Sequence, residues 1–416
     1  MDAPAPPQTA RFERKREAIL QAAAILFNAH GLAGTTLTDV AASVGLTITS
    51  VTYYYRKKED LAAACLLRAM ATMDALLDRA EAEAATPAGR LARFLAITFA
   101  WRAEIAEGRA AVDVNFWDMR ALTGPAAETT RIAFVALFRR IRAWFQEPLG
   151  PIFSRAEQNA RAHLVFSAVI HAKTWISRYE TADYPRAAAR MADILDHGLA
   201  ANGRVWAPSA LDLGGLSPDA GSDNARARFL RAATEMVNEY GYHGASVDRI
   251  SAKLNVTKGS FYHHNDTKGD LISACFGRTF EVMRRAHVAG FAAGEDGWSR
   301  LGAITAALLA HQLSDDGPLL RLSALSATAD DLRPGLLATF AQLTERTAGL
   351  ISDGIADGSI RPVDATIAAE LVSGMMNAAV ELTRWSPATT MTNAAERFAK
   401  PLLIGVFSPS SHTSPS

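Results

Sequence analysis

Two stretches of seventeen residues hold the side chains best suited to reading another molecule, GLTITSVTYYYRKKEDL at 45–61 and NVTKGSFYHHNDTKGDL at 255–271. Each crowds hydroxyls, aromatic rings and basic groups into fewer than five helical turns. Such donors and acceptors on an exposed helix face suit base edges in the major groove. Lysines, hydroxyls and helix N-termini suit phosphates. In the later stretch Lys258, Gly259, Ser260, Tyr262 and His263 fall on or near one exposed face, and Gly259 permits close approach to a groove. In the earlier one the corresponding set is Thr49, Ser50, Thr52 and Tyr53. The plainer alternative is a solvated helix face backed by core tyrosines. His263 and His264 are adjacent, point to different helix faces and do not read as metal ligands.

These stretches sit inside a repeat. Aligned without a gap at an offset of 210, residues 20–65 match residues 230–275 at 14 of 46 positions, including Asn28/Asn238, Gly31/Gly241, Thr47/Thr257, Ser50/Ser260, Lys58/Lys268 and Cys65/Cys275. Apolar residues at Ile19, Leu20, Ala23, Leu26 and Phe27 carry helical spacing over 12–29. Gly31 and Gly34 end that helix and turn the chain. Thr36 is placed to cap a short second helix, with Asp39 completing a capping box. Gly45 makes a tight turn, Thr47 caps a third helix over roughly 48–54, and a long fourth opens at Lys57–Lys58. The second copy follows suit, with a first helix over about 224–240, Ser246 and Thr257 as caps, and Asn255 in the left-handed position of Gly45. Three helices with a short turn between the last two describe a helix-turn-helix.

On these residues both segments resemble the DNA-binding domain of TetR-family transcriptional regulators. The second copy holds most of the family string in Thr257, Lys258, Gly259, Ser260, Phe261, Tyr262, His264 and Lys268, with Asn255 and Asn265 as departures. The first departs at Ile48, Thr49 and Thr52. The resemblance implies an all-α chain of two tandem units, each a three-helix head followed by a helical effector-binding and dimerisation domain. It implies double-stranded operator DNA as partner. By the same analogy Thr36, Tyr54 and Lys58 would hold phosphates in the first head and Ser246, His264 and Lys268 in the second, with the caps Thr47 and Thr257 also among the DNA-binding residues. It also implies pairing through the last two helices of each half, about 156–179 with 185–199 and about 363–384 with 389–406. Arg11, Arg14, Lys15 and Arg16, and Arg226 and Arg228, lead into the heads and are either solvated or within reach of DNA.

Composition agrees. Among 416 residues, 43 Lys+Arg balance 43 Asp+Glu, which excludes a wholly basic DNA coat but not small basic heads on a neutral body. Two cysteines exclude a disulfide scaffold and a cysteine-rich zinc site; Cys65 and Cys275 read as small apolar core. No apolar run reaches about 18 residues and the start lacks an apolar leader, so neither a membrane span nor a signal peptide is expected. A cytoplasmic location follows, on the nucleoid when bound to DNA. Phosphate loops, nucleophile elbows and metalloprotease motifs are not found, so no enzyme activity, cofactor or metal is expected. The domains expected are 11–61 and 224–271 as heads, 62–200 and 272–407 as helical bodies, 201–223 as a Gly/Pro/Ser-rich linker and 408–416 as a disordered tail.

The first body is rich in aromatics, which are core or the lining of an apolar pocket for a hydrophobic effector. Trp117, Trp144, His171, Trp175, His311 and Met375 are the candidate effector contacts. Two units in one chain suggest an internal pseudo-dimer, with a homodimer as the other possibility. A linker of 23 residues spans at most about 76 Å and as a coil about 26 Å, enough for the second copy to fold back. The heads differ at nearly every base-facing position, so unlike half-sites are expected. The competing reading is a sensor or interaction protein whose first head is degenerate and whose second alone binds DNA.

Overall fold

The structure, a computed structural model, describes residues 10–116, 119, 122–146, 152–211, 213, 225–255, 267–328 and 332–409. Among these there is no strand, as the scarcity of β-branched residues and wealth of alanine suggest. The first copy holds α1 (Ala10–Gly34), α2 (Leu37–Ser43), α3 (Ile48–Tyr54), α4 (Lys58–Glu83), α5 (Pro87–Ala106), α6 (Gly124–Ala143), α7 (Arg155–Ala172) and α8 (Tyr184–His197). The second holds α9 (Ala225–Gly244), α10 (Val247–Leu254), α11 (Lys268–Ala293), α12 (Gly297–Gln312), α13 (Arg333–Ala356), α14 (Ala365–Ala379), α15 (Leu382–Trp385) and α16 (Lys400–Ile404), the last entered through a π turn at Ala395–Ala399. α10, α11, α12 and α14 start 210 residues after α2, α4, α5 and α7. The repeat therefore runs through the bodies, where side-chain identity is too low to show it.

The chain forms two compact units. One comprises residues 1–75 and 107–137 and contains the first head. Its core gathers Ile19, Leu20, Ala23 and Phe27 of α1, Val40 and Ala41 of α2, Val51 of α3, and Leu61 and Cys65 of α4, all buried. Asn28 ties α1 to the loop after α5. Its amide donates to Asp113 O at 2.8 Å, and its carbonyl accepts from Asn115 N at 2.8 Å. Arg68 of α4 donates to Val112 O of the same loop at 2.8 Å.

The other unit comprises residues 76–106 and 138–416. The second head repeats the tie: Asn238 donates to Leu319 O at 2.8 Å and accepts from Arg321 N at 3.1 Å, while Arg278 donates to Pro318 O at 3.1 Å. In the same unit α7 lies against α14, and α5 against α8. Past the C-terminal ends of α8 and α16 the chain crosses itself so closely that Leu199 N donates to Leu403 O at 2.7 Å and Val406 N to Leu195 O at 2.8 Å.

Two expectations are revised. The last-pair helices are shorter than their periodicity suggests. α7 ends at Ala172, before a single-turn helix at Ile176–Arg178, and its partner begins only at Tyr184. α14 ends at Ala379, and the C-terminal helical run begins near Ala394, where the Asn393 side chain accepts from Thr390 N at 2.8 Å. The start of the presumed linker is docked, because Trp206 has apolar area to bury. Trp206 lies edge-on to Trp298 at 6.2 Å, Trp298 Nε1 donates to Val205 O at 3.1 Å, and Arg204 pairs with Asp296 at 2.6 Å.

Candidate nucleic-acid interface

The first head presents α3 on a built frame. Thr36 caps α2 as the sequence suggests: its hydroxyl accepts from Asp39 N at 3.1 Å, and Asp39 accepts from Thr36 N at 2.8 Å. Gly45 then turns the chain at φ 63°. Thr47 caps α3 by accepting from Ser50 N at 3.3 Å. Val51 is the anchor, fully buried, and Tyr55 is buried at the far end. Burial pushes the Tyr55 hydroxyl up in pKa, against the pull of Arg16 beside it. What remains outward is Ile48, Thr49 and Tyr53, with Ser50, Thr52 and Tyr54 half-buried. Tyr53 is 76% exposed, the most open aromatic of the head. Phe12 of α1 holds the two tyrosines in place, 4.7 Å from the Tyr54 ring and 6.3 Å from that of Tyr53.

Hydroxyls on this face are partly spoken for. Thr36 Oγ1 donates to Asp39 at 2.7 Å, and hydrogen bonds from the Thr36 side chain and backbone hold the Asp39 carboxyl below the usual carboxylate range. Thr52 Oγ1 donates to Thr49 O at 3.1 Å, and Thr47 and Ser50 hydroxyls bond each other at 3.0 Å. The second head differs at the same spot. Ser246 caps α10 by accepting from Arg249 N at 3.2 Å, so a cation stands where the first head has Asp39. Its guanidinium lies 5.3 Å from the Tyr240 ring. Asn255 ends α10 at φ 54°, ψ 46°, the left-handed conformation expected from its pairing with Gly45. Lys268 opens α11, half-buried, and burial lowers its ammonium pKa. Thr257, Lys258, Gly259, Ser260, Tyr262, His263 and His264 lie outside the described residues.

The family model for bacterial regulatory proteins of the tetR family matches the chain twice, at residues 19–65 and 229–275. Those are the two heads. The chain carries the TetR-family DNA-binding segment twice, in tandem. The TetC protein of transposon Tn10 from Escherichia coli is 27% identical over 148 residues, 35% of this chain and 73% of that protein. Among solved structures, a TetR-family regulator from Bordetella parapertussis covers 44% of this chain and 94% of its own at 16% identity and a TM-score of 0.37. PfmR from Thermus thermophilus covers 43% and 98% at 19% identity and a TM-score of 0.38. With that segment present twice, the chain is a DNA-binding transcriptional regulator.

The candidate effector contacts fall in separate places. Trp144 is buried, edge-on to Phe94 at 5.9 Å, and its indole donates to Glu81 at 3.2 Å. Trp175 is buried between Phe99 and Tyr179, each ring 6.0 Å away. His171 of α7 approaches Glu370 of α14 at 3.5 Å, and Met375 is buried on the same α14. His311 is buried on α12, where desolvation and then Arg278 push its pKa down to about 4, against the pull of Asp316. His287 on α11 is held down to about 4 by burial and then Arg346. Trp117 lies outside the described residues. Sequence reasoning passed over the Asn28 and Asn238 ties. The signal was there, since the pair is identical at the 210 offset and hydrophilic within an apolar helix face. No helix among the described residues is long and apolar enough to cross a membrane.

Proposed function

We propose that the chain is a ligand-responsive repressor that binds one two-part operator through two non-identical heads, acting in the cytoplasm where that DNA lies. The observation that carries this is the pairing of α7 and α8 with α14 and α16 inside a single chain. His163 Nε2 donates to Ala378 O at 2.9 Å, Asn159 Nδ2 to Trp385 O at 2.8 Å, Ser386 Oγ to Ala156 O at 3.0 Å and Arg161 Nε to Val406 O at 3.0 Å. Helices 210 residues apart in sequence thus use each other as a homodimer would use its copy. Thr49, Ser50, Thr52 and Tyr53 read bases for the first head, and Lys258, Gly259, Ser260, Tyr262 and His263 for the second. Thr47, Tyr54, Lys58, Ser246, Thr257, His264 and Lys268 hold phosphates. An apolar effector inside a helical body shifts the balance between bound and unbound arrangements, by its different affinity for the two.

A second reading is favoured by Asp39, Thr36 and Ile48. A carboxylate beside the α2 N-terminus repels phosphate, the Thr36 hydroxyl is already donated, and Ile48 takes the place of Lys258. In that case the first head is degenerate and the second alone reads DNA. Selection of bound sequences from random duplexes at fixed salt separates the two, with Lys258→Ala/Tyr262→Ala and Thr49→Ala/Tyr53→Ala variants alongside. An asymmetric two-part site, weakened by both variants, supports two reading heads. A site weakened only by the former supports one. A chain that selects no sequence overturns both.

A further inference from the structure

The crossing of α7 and α14 is antiparallel, and paired positions obey a simple register. Asn159 meets Trp385, His163 meets Ala378 and His171 meets Glu370. Exchanging the copies, by adding 210 to one number and subtracting 210 from the other, gives the neighbours related by the pseudo-two-fold. Glu370 then corresponds to Ala160, His171 to Glu381, and Gly374 to Leu164. The two halves of the crossing are therefore chemically unlike.

On the built side, Glu370 is 6% exposed and takes both His171 at 3.5 Å and the Arg178 guanidinium. Burial would raise its pKa, but those two partners outweigh it and hold the carboxyl low. The His171 ring lies over Gly374 so tightly that a Cβ there would stand 2.8 Å from the ring. A residue at 374 larger than glycine displaces the histidine. The other side has Leu164 where Gly374 would be, and it is 1% exposed. It has Glu381 where His171 would be, satisfied within its own half by Arg321 at 3.0 Å.

We propose that His171, Arg178, Glu370 and Gly374 form a lock that makes the first-copy helices pair with the second-copy helices and rejects pairing of like with like. Two second-copy surfaces would set Glu370 against Glu381, two carboxylates in a dry interface, with the Glu381 chain over the Gly374 hollow in place of the ring. Two first-copy surfaces would drive the His171 ring into Leu164 and leave no anion opposite it. Only the unlike pair satisfies shape and charge together, so rejection of the alternatives comes from repulsive as well as attractive groups. The consequence is a chain that closes on itself and resists mixing its heads with those of other chains. The operator would then be read by one head of each kind.

This inference rests on the internal pairing proposed above. The test uses the full chain, with mass by sedimentation velocity at low and high micromolar concentration and the unfolding temperature beside it. The parent is expected at 44.6 kDa. Gly374→Leu alone fills the hollow, and His171→Glu alone opposes two carboxylates. Each is expected to lower the unfolding temperature by about 5–10 °C and to promote concentration-dependent association as the halves separate. Gly374→Leu with His171→Gly restores the fit in size, and His171→Glu with Glu370→His reverses the pair. Both double variants are expected to recover the parent mass and most of its unfolding temperature. A parent of twice the mass overturns the pairing and the lock together. A monomeric parent whose single variants match it, or whose double variants fail to recover, overturns the lock alone.

Discussion

Replacing Asn238 by alanine should cost far more stability than replacing Asn28, although the two occupy the same place in the repeat. Asn238 is 4% exposed and closes two hydrogen bonds with buried backbone, Leu319 O at 2.8 Å and Arg321 N at 3.1 Å. Alanine removes both partners at once. An orphaned buried carbonyl or amide costs about 1–3 kcal/mol, so the pair costs about 2–6 kcal/mol. For a body of this size each kcal/mol moves the midpoint by about 2–4 °C, which puts the loss between about 4 and 24 °C. Asn28 closes the same two bonds with Asp113 O and Asn115 N, both at 2.8 Å, but stands only half-buried. Water can take over there, and Asn28→Ala should cost about 0.5–1.5 kcal/mol. Asn238→Asp is a sharper probe. It keeps the acceptor for Arg321 N but turns a carboxylate oxygen on Leu319 O, so it should be no milder than alanine. Thermal unfolding of the full chain by circular dichroism, checked by urea titration with unchanged m, measures all three. Equal losses at 28 and 238, or a loss under about 0.5 kcal/mol for Asn238→Ala, would refute the reasoning.

Three further outcomes are expected. Gly45 stands at φ 63° with nothing within 4 Å of a Cβ, so its substitutions cost backbone strain alone; Gly45→Asn should lose under about 1 kcal/mol and Gly45→Val about 2 kcal/mol, read by thermal unfolding. Burial pushes the Cys65 thiol up to about 12 and the Cys275 thiol up to about 11. With so little thiolate present near pH 8, a disulfide exchange reagent should label neither in the folded chain and both in urea. His287 and His311 accept a proton only near pH 4 when folded, against about 6.5 when unfolded. Their folded pKa is the lower one, so they cost nothing above pH 7. Stability falls as pH drops from about 6.5 to 4, by about 3 kcal/mol each at the low end. A midpoint that stays flat across that window, or an unchanged slope in His287→Phe, would contradict the assignment.

The first head and the described part of the second were legible because every step in them is local. A threonine or serine three residues before its amide partner makes a cap wherever it sits, as Thr36, Thr47 and Ser246 do. A left-handed turn needs glycine or asparagine, and Gly45 and Asn255 both comply. Buried cysteines at equivalent points followed from the repeat alone. The bodies were not legible beyond being helical. Where α7 ends depends on how Trp175 packs against Phe99 and Tyr179, and Trp206 binds beside Trp298 across a sequence gap of 92 residues. Neither contact leaves a periodic trace in the residues that make it.

The contrast between the two ties and the crossing shows what each part of the duplicated chain is required to do. Asn28 and Asn238 grip backbone, and backbone is the same in both copies whatever the side chains are. The loops they hold differ in register by four residues, 113 against 319 where the offset alone would give 323, yet the same amide serves both. Contacts of that kind survive divergence of everything around them. At the His171–Glu370 contact of the α7–α14 crossing both partners are side chains, and a change on one helix is free to be answered only on the other. Once both helices belong to one chain, the answer can be an unlike residue, such as His171 for Glu370 or Gly374 for the bulk of the His171 ring. A symmetric dimer has no such freedom, because every residue must suit both roles. The same release applies to the heads, where Asp39 bonds back to its cap Thr36 and the position 210 residues on is Arg249, whose guanidinium lies by Tyr240. Under the proposed function each head is then free to suit its own half-site.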